Sequence, residues 1–162
     1  VFDDLYDIET VSLRYFNVFG PYQDPESPYA AVIPKFLRAL ADGKKPIVFG
    51  DGEQSRGFTY VDDVIEGNML AGTVPEAAGM VMNLASDRSI SVNAALAMIC
   101  AALDRPVDAD YQPPRPGEIR DSRADLSRAR AILDFELQVP FETGLTRTVE
   151  LFPASYSVPA TW

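Results

Sequence analysis

Apolar and polar residues alternate from Thr10 to Asn17, with Val11, Leu13 and Tyr15 on one side and Ser12, Arg14 and Phe16 on the other, which is the period of a strand. Prolines 21, 25 and 28 then predict a long irregular connection of the kind that often carries a ligand site. Ile33, Phe36, Leu37 and Leu40 return at helical spacing, with Pro34 in the first turn and Gly43 as the stop. Ile47-Val48-Phe49 reads as a short strand, and Gly50-Asp51-Gly52 as a tight turn out of it. Asp62 or Asp63 stands where it can cap a helix with Val61, Val64, Ile65 and Met69 on one face. A strand at Met80 to Leu84 precedes Ser91, which is placed as the N-cap of a helix striped by Val92, Leu96, Ile99, Cys100 and Leu103. Val107 to Tyr111 predicts another strand, Leu126, Ala129 and Leu133 a helix, and Leu145, Val149 and Phe152 a last one. Strands alternating with helices put the chain in the α/β class.

Composition narrows the chemistry. The chain has 162 residues, the size of one domain, with 14 basic against 24 acidic residues and a formal charge of -10. That balance repels nucleic-acid backbones and anionic lipid. With no histidine and one cysteine, Ser-His and Cys-His nucleophile pairs, thiolate zinc sites and internal disulfides are excluded. Proton transfer would fall to Asp, Glu, Tyr or Lys. Apolar runs stop short of the roughly 18 residues a membrane span needs, and no signal peptide is evident, so a cytoplasmic protein is expected. Val1 stands where an initiator methionine is expected, and Phe2 to Tyr6 reads as the tail of a helix.

Three segments stand out as chemistry: Arg14-Tyr15-Phe16-Asn17, the loop Gly50 to Arg56, and the loop Pro114-Arg115-Pro116-Gly117-Glu118. Guanidinium forks grip phosphates bidentately, so Arg56 and Arg115 converging on one cleft would suit a diphosphate. The plain alternative is two surface arginines paired with nearby acids. Phe49, beside Gly50, offers a flat face for a base or is simply a core residue. Asn17 ends a strand, where α/β folds place ligand crevices, or merely forms a turn. Asp62 and Asp63 are adjacent on a helix and do not share a face, which argues against a carboxylate dyad or a metal site. No Gly-x-Gly-x-x-Gly or Walker loop occurs.

Taken in order, Leu13 to Pro25, Tyr29 to Phe36, Gly50 to Arg56, Phe58 to Val64 and Arg115 to Arg120 closely resemble the extended short-chain dehydrogenase/reductase family. Within it the chain is most similar to nucleotide-sugar 4-epimerases of the UDP-glucose and UDP-N-acetylglucosamine type. The resemblance implies the C-terminal, substrate-binding half of an extended Rossmann-type enzyme, in which NAD sits mainly in an N-terminal half. It implies residues 1–22 as the last helix tail and strand of the Rossmann sheet, 23–152 as the sugar-nucleotide-binding domain and 153–162 as an irregular tail.

The resemblance also implies roles. Tyr15 would lie beside the nicotinamide, and Asn17 would touch the diphosphate or sugar. Ala31, Val32 and Phe36 would line the nucleotide pocket, and Ile47, Val48 and Phe49 would frame the uracil. Arg56 and Arg115 would clamp the diphosphate, with Glu118 serving a ribose hydroxyl or orienting an arginine. The family's catalytic tyrosine is paired with a lysine four residues on, and no Tyr-x-x-x-Lys occurs here. By the family's order that pair falls upstream of Val1, so no catalytic residue and no NAD binding are expected of the chain alone. The full-length parent is expected to be an NAD-dependent homodimer acting on a UDP-sugar. A sugar-nucleotide dehydratase or decarboxylase, or a non-catalytic binding module, is the alternative. Two positions depart from the family: Gly57 replaces a usual aspartate, which would loosen the aim of Arg56, and Glu118 replaces another.

Overall fold

The computed structural model describes residues 5–27 and 31–155, the last three as backbone. Of the helix tail read at Phe2 to Tyr6, Leu5 and Tyr6 are helical; the rest, with Tyr29-Ala30 and 156–162, lies outside the described residues. The first half comprises β1 (Ser12–Tyr15), β2 (Val18–Phe19), α1 (Val32–Ala41), β3 (Ile47–Phe49), β4 (Ser55–Arg56), β5 (Thr59–Tyr60) and α2 (Val61–Thr73). Then come β6 (Val81–Leu84), β7 (Ile90–Ser91), α3 (Val92–Ala102), β8 (Asp110–Gln112), β9 (Asp121–Ser122), α4 (Ser127–Leu133) and α5 (Phe141–Ser155). The α/β alternation is as expected, but α5 continues to Ser155 into the stretch read as irregular.

Pairing is parallel for β1 with β6, β2 with β5, β3 with β8 and β4 with β9, and antiparallel for β4 with β7. Both β1 and β2 therefore bond to strands beyond residue 22. β8 begins three residues later than the pattern from Val107 suggests, because its register is set by β3, with Ile47 opposite Asp110. The two-residue strands β4, β5, β7 and β9 are too short to carry a period and were not expected.

Two apolar clusters hold the fold. In the larger, α1 buries its expected stripe of Ile33, Phe36, Leu37 and Leu40, together with Pro34 of its first turn, and packs against α3. The Ser91 hydroxyl accepts from the Ala94 N–H at 3.2 Å, capping α3 as its sequence suggests. Cys100 is wholly buried on that helix, and burial pushes its thiol up, so it serves as a small core residue. Phe19 packs against Tyr60 and Phe141 at ring separations of 5.5 and 5.2 Å, joining the β2–β5 pair to α5. The smaller cluster joins α2, β6 and α4 through Ala71, Met82, Leu84, Ala129 and Leu133.

The reading of α2 needs correction on two counts. Ile65 and Met69 are 55% and 62% exposed, and the buried face is instead Asp63, Val64, Gly67 and Ala71. Small residues let this helix approach β6; a Cβ at Gly67 would meet the Leu84 side chain at 2.5 Å. Neither aspartate caps the helix: Tyr60 is the N-cap, without a side-chain bond. Asp62 pairs with Arg147 at 3.3 Å, while the Asp63 Oδ1 accepts from the Gln138 and Val139 N–H groups at 2.8 and 3.2 Å. Among the described residues no helix is long and apolar enough to cross a membrane.

Candidate functional site

Asn17 sits between β1 and β2 with φ 43°, a left-handed conformation that asparagine adopts more easily than most residues. Its carbonyl accepts from the Thr59 N–H at 3.2 Å, and the buried Thr59 hydroxyl donates to the Phe16 carbonyl at 3.0 Å. The turn reading and the position at a strand end thus both hold for this residue.

A second wall comes from β3 and β4. The turn after Phe49 uses Gly50 and Gly52 at φ 70° and 75°, where a side chain would be strained. Gln54 is buried, and its Nε2 donates to the Phe49 carbonyl at 2.8 Å. The Glu53 N–H and then Arg120 bond the Asp51 carboxylate at 2.9 and 3.2 Å, holding its carboxyl below the ordinary range. β4 lies between β7 and β9. From it the Arg56 Nη1 donates to the Ser55 and Arg120 carbonyls at 2.8 and 3.2 Å, and Nη2 lies 3.4 Å from the Glu118 carboxylate. The Arg56 and Glu118 side chains are 17% and 27% exposed. Arg115 does something different: its guanidinium carbon stands 3.8 Å from the centroid of the Phe49 ring.

Gly57 shows why the missing aspartate has not left Arg56 unaimed. The two carbonyls and Glu118 aim it, and a Cβ at Gly57 would come 2.6 Å from the Ser86 carbonyl oxygen, a backbone atom that cannot swing away. Gly57→Asp is therefore expected to destabilise the fold by about 1–3 kcal/mol, read as a lowered Tm; an unchanged Tm would show that the 85–88 backbone gives way.

These residues enclose one cleft of about 210 Å³ lined by Asn17, Ala31, Val32, Phe36, Ile47, Val48, Phe49, Arg56, Arg115 and Glu118, all marked in the sequence. Lys35, Gln54, Phe58 and Val92 also line it and were missed. Lys35, one residue before the marked Phe36, Gln54, inside the quoted loop, and Phe58, which opens a quoted motif, were within reach of the motifs; Val92 carries no signal apart from core residues. Three cations and one carboxylate make this a basic spot on a chain of charge -10. Its volume is below the roughly 300 Å³ of a typical small-molecule pocket. Tyr15 stands apart from the cleft, its hydroxyl donating to the Asn68 Oδ1 at 2.9 Å on α2. Among the described residues no group of three or more potential metal ligands occurs. The arrangement can hold an anion beside a flat aromatic ring.

The NAD dependent epimerase/dehydratase family matches residues 2–85. The chain belongs to this family. It shares 35% identity over 152 residues with UDP-glucose 4-epimerase of Mycolicibacterium smegmatis, covering 94% of this chain and 48% of the relative. It is 31% identical to UDP-N-acetyl-alpha-D-glucosaminuronate decarboxylase of Bacillus cytotoxicus, covering 86% of this chain and 45% of that one. Among solved structures, UDP-N-acetylglucosamine 4-epimerase from Methanobrevibacter ruminantium, in complex with UDP-N-acetylmuramic acid, superposes with a TM-score of 0.87 at 41% identity. That match covers 94% of this chain and 49% of the structure. The chain spans about half the length of the curated relatives it matches. As an extended short-chain dehydrogenase/reductase, it has the Rossmann-like α/β fold of those structures.

NAD is the cofactor named for the family. A dinucleotide pyrophosphate is usually cradled by a glycine-rich turn opening a helix. The helices α1, α2 and α3 open on Ala31, Tyr60 and Ser91.

Proposed function

We propose that this chain is the substrate-binding part of an NAD-dependent UDP-sugar 4-epimerase of the UDP-glucose or UDP-N-acetylglucosamine class. The observation that carries the reading is the meeting of Arg56, Arg115 and Phe49 in one cleft from segments far apart in sequence. Two guanidinium groups and a flat ring match the two chemically distinct parts of a uridine diphosphate, its doubly charged linker and its base. On this reading Arg56, fixed by backbone carbonyls, holds one phosphate, and Arg115 the other. Glu118, bonded to Arg56, orients that arginine and keeps an oxygen for a ribose hydroxyl. Asn17 presents its amide toward the diphosphate or sugar, and Ala31, Val32, Phe36, Ile47 and Val48 exclude water from the nucleotide.

Catalysis is not assigned to these residues. The chain has no Tyr-x-x-x-Lys, and the hydride acceptor and the residues that move the sugar hydroxyl proton belong to the part of the relatives this chain does not span. The protein carrying both parts is read as a homodimeric isomerase. The relative in Bacillus cytotoxicus supports a second reading, a UDP-sugar decarboxylase or dehydratase built on the same binding part.

Titration calorimetry with UDP, UDP-glucose and NAD tests the proposal. UDP and UDP-glucose are expected to compete for one site, and NAD to give no saturable heat with this chain. Absence of UDP binding, or tight NAD binding, would overturn the assignment of the cleft.

A further inference from the structure

We propose that Arg115 makes the cleft selective for nucleoside diphosphates over nucleosides, because it lies on the base platform until a diphosphate draws it away. This rests on the nucleotide-sugar reading above and adds to it a coupling between the two halves of the ligand.

The two arginines are held in opposite ways. Arg56 is locked by two backbone carbonyls and Glu118. Arg115 is exposed, sits in a proline-rich loop, and has no ion-pair partner among the described residues; the contact recorded for it is the Phe49 ring. At 3.8 Å from the ring centroid, the guanidinium fills the layer that a stacked pyrimidine would occupy. Phe49 also borders a neighbouring hollow with Tyr111 and Pro114, whereas Arg115 and Phe49 together line the cleft and Arg115 does not line that hollow. The platform itself is fixed, since the Phe49 carbonyl accepts from Gln54 and the Gly50 N–H bonds the Gln112 carbonyl at 2.8 Å.

A nucleoside entering the cleft must therefore displace the guanidinium and offers it nothing in return. A nucleoside diphosphate offers a stronger partner than the ring, a phosphate that accepts a charge-assisted fork. Departure of Arg115 from Phe49 then exposes the stacking face as the linker is gripped. Base and diphosphate become coupled ligands of one residue.

The coupling predicts opposite signs for one substitution. In NMR titrations of the purified protein with uridine and UDP, Arg115→Ala is expected to tighten uridine about threefold, the scale of an exposed cation–π contact. The same change is expected to weaken UDP at least about tenfold, the scale of a charged hydrogen bond. With Phe49→Leu already in place, Arg115→Ala should no longer tighten uridine, because there is no platform to uncover. An unchanged Tm verifies that each variant folds. If UDP binds but Arg115→Ala leaves uridine unchanged or weaker, or tightens it equally in the Phe49→Leu background, the gating role is overturned and the cleft assignment stands. If the native protein binds neither ligand, the nucleotide-sugar reading itself fails and takes the gate with it.

Discussion

Arg56→Ala is expected to weaken UDP binding by about two orders of magnitude, the largest functional effect of any single change in the cleft. The guanidinium is mostly buried and already oriented by the Ser55 and Arg120 carbonyls, so little side-chain freedom remains to be lost when a phosphate arrives. Its removal also leaves the Glu118 carboxylate facing the diphosphate without its partner, adding repulsion to the lost attraction. Arg56→Lys keeps the charge but not the planar fork and should lose about tenfold. Titration calorimetry on both variants measures the effect, and a UDP affinity unchanged in Arg56→Ala would remove this residue from the site.

The largest effect on stability is expected at Asp63. This carboxylate is 1% exposed on the buried face of α2, and its Oδ1 carries the Gln138 and Val139 N–H groups while Oδ2 has no hydrogen-bond partner among the described residues. Asp63→Ala strands both N–H groups and opens a small void, a loss of about 2–3 kcal/mol. At this chain length that is a fall in Tm of about 5–10 °C. Burial raises the Asp63 carboxyl above its ordinary 3.8, against the pull of the two N–H bonds, and the charge of Asp62 adds to the rise. The folded chain thus holds this proton to higher pH than the unfolded one does. Its contribution is fullest below 3.8 and is lost as pH rises through the raised value. Asp63→Asn retains an oxygen for both N–H groups and removes the charge, so it should cost far less than alanine and flatten that part of the pH profile. Thermal melts across the acid range check both; equal losses in the two variants would show that the hydrogen bonds are not what Asp63 contributes.

Much of this was legible in the sequence, and the exceptions share a cause. The α1 stripe and the Ser91 cap are local: a period of 3.6 and one hydroxyl three residues from an N–H suffice to fix them. The α2 face was misread because large apolar residues are the visible signal, whereas packing against β6 selected the small ones, Gly67 and Ala71, and turned Ile65 and Met69 outward. β4, β5, β7 and β9 exist only as partners of other strands, and two residues cannot announce a partner. The cleft residues emerged through motif resemblance, since nothing in the spacing of Asn17, Phe49, Arg56 and Glu118 indicates that they meet. That Arg115 rests on Phe49 had no sequence signal at all: a loop arginine next to three prolines looks the same whether it faces water, a carboxylate or a ring.

Because β4 is the middle strand of its sheet, Ser55 and Arg56 are bonded on one side to residues 90–91 and on the other to residues 121–122. Arg56 therefore comes into position only after two distant stretches of chain have closed on it. Loop closures of that span are slow relative to helix formation. The core is no more local, since α1 and α3 also meet across a long stretch of chain. On the nucleotide-sugar reading, the grip on phosphate is therefore a property of the closed three-strand arrangement and not of any one stretch of chain.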